Sequence, residues 1–218
     1  MKHKSWGHTA AVVSLAVMSA APAGVGPTVL AIDPANSEVL IQVGKAGLLG
    51  FAGHAHEVSA PSVRGEVTFN PSDLPRASVS LEFDASALRV TGKNESPADV
   101  PEVQRVMLSG QVLDVAHYPT IAFRSRRVTV TSSTPTSADV LVEGDVTLHG
   151  TTRQMTIRVA VAFDAEGGLT ARGSLSLKQS DFGMVPVTAA GGTVRVKDEL
   201  EIQFVIKARP SHEAGSES

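Results

Sequence analysis

Residues 51–60 read FAGHAHEVSA, which places His54 and His56 two apart in a chain that has no cysteine. Residues two apart on a strand point to one face, so the two imidazoles are spaced to clamp a metal ion, to meet an anionic head group at a pocket mouth, or to end a strand in ordinary hydrogen bonds. A stable zinc or copper site takes three or four protein ligands. The others would come from His117, His149, Glu57 or a distant aspartate, and no spacing fixes them. The strand-end reading makes the fewest demands, and no metal set is predicted.

Catalytic motifs are sparse. The chain contains no G-x-S-x-G elbow, no H-E-x-x-H helix and no glycine-rich phosphate loop. Ser180 and Asp181 in KQSDFGM invite a nucleophile, but such a pair at a strand end more simply turns the chain by local hydrogen bonds. Asp198 and Glu199 are adjacent, so on a strand they face opposite ways and cannot act as paired carboxylates. The letters KDEL that include them are internal and form no retrieval signal. No catalytic residue is predicted.

Period-two alternation dominates the elements that must position these groups. In EVLIQV, Val39, Ile41 and Val43 share a face; in VRGEVTF, Val63, Val67 and Phe69 share one with Gly65; in ASVSLEFDA, Val79, Leu81 and Phe83 oppose Ser78, Ser80, Glu82 and Asp84. TIAFRSRRVTVTS sets Ile121 and Phe123 against Arg124, then Val128 and Val130 against Thr129 and Thr131. ADVLVEGDVTLHG, QMTIRVAVAFD, GLTARGSLSLKQ and GTVRVKDELEIQFVIKA bring the count to about eight strands. The stretches His149-Gly150-Thr151-Thr152 and Glu166-Gly167-Gly168 carry turn chemistry, so strands joined there are antiparallel neighbours.

Residues 94–119 break the alternation. Ser96-Pro97 or Asp99 before Pro101 can start a helix, Val103, Val106 and Met107 fall on one face, and Gly110 supplies a stop. This helix falls between the third and fourth strands and is expected to cap one end of the fold. At the other extremes, residues 209–218 (RPSHEAGSES) lack apolar content and read as a disordered tail. Lys2, His3 and Lys4 precede the apolar run TAAVVSLAVMSA and then Ala21-Pro22-Ala23, the order of an export signal, expected to span residues 1–23. The run is far shorter than the roughly 20 residues that span a bilayer, so no transmembrane segment is expected in the mature protein.

Cleavage there removes Lys2 and Lys4 and no acidic residue, leaving 17 basic against 22 acidic groups, a formal charge of −5. That balance argues against nucleic acid, which requires a basic face. Eight antiparallel strands with one apolar face each close as a sandwich or as an up-and-down barrel, and the pattern alone leaves both open. Val39, Ile41, Val43, Val67, Phe69, Leu81, Phe83, Met107, Ile121, Phe123, Phe182 and Met184 are the candidate lining of an internal cavity, with His54 and His56 at its mouth. The same apolar positions also suit a filled core. Aromatic content of 4%, with the single Trp in the leader, and small inward positions such as Gly65 and Gly173 favour a cavity.

HYPTIAFRS, DVTLHGTTRQMTIRV, SLKQSDFGM and VKDELEIQFVIKA, in that order, resemble successive motifs of the YceI-like family, and AIDPANSEVLIQV resembles its first strand. The resemblance covers roughly residues 31–208. It implies an exported, all-β, lipocalin-like eight-stranded antiparallel barrel whose apolar cavity holds a polyisoprenoid or similar amphiphile. Two stretches depart from the family pattern: VQRVMLSGQVLDVAHYP, with Arg105 and Leu113 but no aromatic pair, and KAGLLGFAGHAHEV in place of a basic motif. Three functions follow. The first is a carrier of an isoprenoid, isoprenoid quinone or fatty-acyl chain, with no cofactor beyond that ligand and no catalysis. The second is a metal-dependent or hydrolytic enzyme built on His54 and His56. The third is a solid-barrelled structural or stress-associated envelope protein. Whether the chain pairs as a homodimer stays open.

Overall fold

The computed structural model describes residues 26–46, 56–93, 95–189 and 194–211. Its strands are β1 (Thr28–Ile32), β2 (Glu38–Ala46), β3 (His56–Ser59), β4 (Val63–Phe69), β5 (Ser78–Asp84), β6 (Arg89–Val90), β7 (Thr120–Thr134), β8 (Ser137–Leu148), β9 (Thr151–Phe163), β10 (Leu169–Lys178), β11 (Thr188–Ala189) and β12 (Val194–Pro210). Among the described residues one α-helix, α1 (Val100–Leu108), lies between β6 and β7. All pairings are antiparallel and run β1-β4-β5-β7-β8-β9-β10-β12, and β12 pairs back to β1, so the sheet closes on itself as an eight-stranded barrel.

Three of those eight strands are interrupted. β2, β3 and β6 continue β1, β4 and β5 along the same course, pairing β12–β2, β2–β3 and β3–β6. Proline marks two of the breaks, because it cannot donate to a ladder: Pro34 opens a 3-10 turn after β1, and Pro61 stands between β3 and β4. The third is a 3-10 turn at Ala85–Ala87, whose first N–H donates to the Pro119 carbonyl at 2.9 Å. Closure leaves the barrel with no free edge in this ring, which removes a template for aggregation.

Local chemistry fixes the hairpins. His149 and Gly150 both take positive φ, 50° and 70°, as a two-residue turn of the right twist between β8 and β9 demands. Tyr118 packs over that turn, its ring 4.4 Å from that of His149, so the HYP and HG stretches meet in space. Along β8 the buried positions Ala138, Val140, Val142, Gly144, Val146 and Leu148 alternate without a fault. On β7 the inward set shifts from Ile121 and Phe123 to Val128 and Val130 because the ladder with β8 skips a residue between Ser125 and Arg127. A bulge inserts one unpaired residue and moves the following side chains to the other face.

Of the two helix starts read from the sequence, Asp99 before Pro101 is the one used. The carboxyl-terminal strand runs further than its composition suggests. Ala31 pairs with Arg209, Leu30 with Pro210, and Arg209 meets Asp33 at 2.7 Å, so the first residues of the expected tail are part of the barrel.

Candidate functional site

The barrel encloses a cavity of about 790 Å³. Val39, Ile41, Val43, Val67, Phe69, Leu81, Phe83, Met107, Ile121, Phe123 and Met184 all border it, on strands β2, β4, β5 and β7, on α1 and on the segment after β10. Those on strands reach it by the period-two rule, Met107 by the helical stripe it shares with Val103 and Val106, and Met184 from the irregular segment after β10. At the end where β1 begins and β12 finishes, Phe69 and Phe163 stack at 5.6 Å and 7°, narrowing the interior. The opposite end, beneath α1 and the segment before it, carries the polar lining: His56, Glu95, Ser96, Asp99, Glu102 and Gln179.

Phe182 does not border the cavity. It sits in a 3-10 turn, Gln179–Phe182, that leaves the β10 line, and its ring is packed into the wall with 1% exposure. Gln179 and Ser180 pin that turn. The Gln179 amide donates to the Lys197 carbonyl at 2.8 Å, and the Ser180 N–H and hydroxyl donate to the Asp198 carboxylate at 2.8 and 2.6 Å. Those partners lie where the β12–β2 register slips between Val196 and Leu200. Ser180 is thus held by a carboxylate from a distant strand, and its hydrogen bonds keep the Asp198 carboxyl below the usual range.

The two glycines read as small inward positions do not enlarge the interior. At Gly173 a side chain would meet the Phe204 ring at 2.5 Å and the Arg158 carbonyl at 2.7 Å, so a neighbouring ring already occupies that space. Gly65, at φ 140°, has the Ser80 carbonyl where a Cβ would stand; it permits close approach of the β4 and β5 backbones. The cavity arises instead from side chains too short to meet across the barrel, such as Ala171 and the valines of β8.

His56 differs from the strand-end expectation. It faces inward with 16% side-chain exposure, and its Nδ1 lies 2.9 Å from Oε1 of Glu95, which is only 4% exposed. The approach is off the hydrogen-bonding direction, so neither atom gains a hydrogen bond. His54 lies outside the described residues. Among those described, no three His, Cys, Asp or Glu side chains converge as a metal set would.

Glu95 and Gln179 are among the lining residues that the sequence does not reveal. Glu95 belongs to no periodic element; it reaches the interior because the preceding segment is tied to β3. Thr91 N–H donates to the Glu57 carbonyl at 2.9 Å, and the Glu57 carboxylate accepts from Lys93 (3.0 Å), Gln42 (2.7 Å) and Thr91 (3.1 Å). Gln104 completes the attachment, taking the Val90 N–H at 2.8 Å and donating to the Leu88 carbonyl at 2.9 Å, which ties α1 to the β6 end.

The Lys93 hydrogen bond, then those of Gln42 and Thr91, hold the Glu57 carboxyl below the ordinary glutamate range. A depressed carboxyl contributes stability that is present above its unfolded value and lost as pH falls through the folded one. Glu57→Gln is therefore expected to lower the melting temperature at neutral pH, and the gap to wild type is expected to close progressively as pH falls below the ordinary glutamate range. Thermal melts across the acid range check this, and a gap independent of pH would mean that the charge contributes nothing.

Residues 30–208 match the family model described as YceI-like domain. A UPF0312 protein of Vibrio cholerae serotype O1 is 27% identical over 148 residues, 66% of this chain and 70% of that protein. The fold matches BcnA of Burkholderia cenocepacia with a TM-score of 0.63 at 20% identity, covering 81% of this chain and 98% of that one. It also matches a polyisoprenoid binding domain from Saccharophagus degradans with a TM-score of 0.61 at 11% identity, covering 83% and 98%.

Proposed function

Because the chain belongs to the YceI-like domain family, we propose that it is an exported barrel that binds and carries one long-chain amphiphile, such as a polyisoprenoid, an isoprenoid quinone or a fatty-acyl compound. The observation that supports this reading most is the cavity. Its volume of about 790 Å³ falls within the range of small-molecule sites, and its lining is apolar except at one end. An amphiphile matches that asymmetry, with its chain inside and its polar end toward His56 and Glu95. Burial of each CH₂ is worth about 0.8 kcal/mol, so a chain of some 20 carbons gains on the order of 10 kcal/mol after the losses of ordering it. The Saccharophagus degradans domain, described as polyisoprenoid binding, lends the ligand class. Detergent-free purification, solvent extraction and native mass measurement test the reading. A bare polypeptide that takes up no added isoprenoid quinone or fatty acid ends it.

Export rests on the basic, apolar, small-residue order of residues 1–23. Among the described residues no helix is long and apolar enough to cross a membrane. The mature protein is expected to begin soon after Ala23, and amino-terminal sequencing of protein recovered outside the cytoplasm checks it. A membrane-bound product still beginning at Met1 would overturn it.

A further inference from the structure

The polar end of the cavity has a charge pattern that bears on the head group. Among the described side chains, the ionisable lining residues are His56, Glu95, Asp99 and Glu102, with neither lysine nor arginine among them. Glu102 is engaged by Arg105, whose Nε and one terminal nitrogen donate at 2.8 and 2.6 Å. The Asp99 side chain caps no backbone N–H of α1. Glu95 is the decisive group: its side chain is almost wholly removed from water and borders the cavity, and its Oε1 receives no hydrogen bond even from the His56 Nδ1 2.9 Å away. A buried acceptor without a donor is costly, and a ligand that brings a donor recovers that cost. A carboxylate or fully ionised phosphate head group brings none and faces carboxylates instead, a like-charge penalty that discriminates against it.

We propose that this mouth selects amphiphiles whose polar end is a hydrogen-bond donor, a protonated amine above all, and rejects chains that end in carboxylate or phosphate. The inference rests on the carrier reading and narrows its ligand class, setting aside free fatty acids and oxidised quinones, which bring no donor. His56 does not reverse it, because any positive charge on its ring lies against Glu95 rather than free for an anion.

The test uses tetradecylamine, tetradecanol and tetradecanoate, three chains of equal length, offered below their aggregation concentrations to the delipidated mature protein. Binding is read by native mass measurement and by displacement of an uncharged fluorescent lipid. The amine is expected to bind at least about tenfold more tightly than the acid, with the alcohol between them. Glu95→Gln is expected to bring the amine-to-acid ratio down several-fold. Equal binding of all three, or preference for the acid, overturns the head-group inference and leaves the carrier reading standing. If none binds and an isoprenoid quinone is refused as well, the carrier reading itself falls. Should Glu95→Gln fail to fold, the wild-type ranking decides alone.

Discussion

Purified without detergent, the protein is expected to show a native mass above that of its polypeptide by one lipid, and Ala171→Phe is expected to lower that occupancy several-fold. Ala171 borders the cavity, is only half-buried by protein atoms, and pairs across the ladder with Val161 on one side and Ile206 on the other. A ring at that position has open space in front of it, so it takes volume from the ligand rather than from the wall. The neighbouring Arg172 points outward and is exposed, so Arg172→Leu is the matched control and is expected to leave occupancy unchanged. Gly173 would not serve as the plug: any side chain there collides with Phe204 and with backbone, and loss of ligand would then report a damaged fold. Extraction and mass spectrometry of all three proteins check the ordering. Equal losses in the two variants would show that the inner face has been misassigned.

How much of this was legible in the sequence follows from where each residue's position is decided. Strand faces are local, because side chains alternate with period two whatever lies across the barrel, and the lining contributed by β2, β4, β5 and the start of β7 follows from that rule alone. The change of phase along TIAFRSRRVTVTS was visible too, but its cause was not. The bulge before Arg127 depends on the partner strand, and Arg126 uses it to reach the Asp145 carboxylate at 2.7 Å. Closure as a barrel rather than a sandwich needs the β1–β12 pairing between the two ends of the chain, which periodicity does not encode; the order of family-like motifs supplied it. His56 was legible as a residue of interest and illegible in its role, since its partner Glu95 stands 39 positions later in a segment without periodicity. Phe182 was misplaced for a similar reason. Its neighbours continue an apolar pattern, yet the Gln179–Phe182 turn leaves the strand, and the bonds that set the turn come from Lys197 and Asp198.

That misplacement gives a contrast in stability. Phe182 is 1% exposed and packed on every side, so Phe182→Ala opens a void that rigid neighbours from β9, β10 and β12 cannot fill. Such truncations cost about 3–5 kcal/mol, and for a chain of this size each kcal/mol lowers the melting temperature by roughly 2–4 °C. Phe83 has the same side chain but borders the cavity and is only half-buried. Part of its ring faces space that holds no protein atoms, and those missing contacts cannot be lost. Phe83→Ala is therefore expected to cost about 1–2 kcal/mol, well under the fully packed case. Ligand occupancy should move the other way, altered by Phe83→Ala and unchanged by Phe182→Ala in the folded protein. Urea unfolding of lipid-free protein separates the two effects, provided the slope with denaturant is the same in each variant. A larger stability loss at Phe83 than at Phe182 would mean that the interior is filled where the structure has it open, and the amphiphile would have no room inside the barrel.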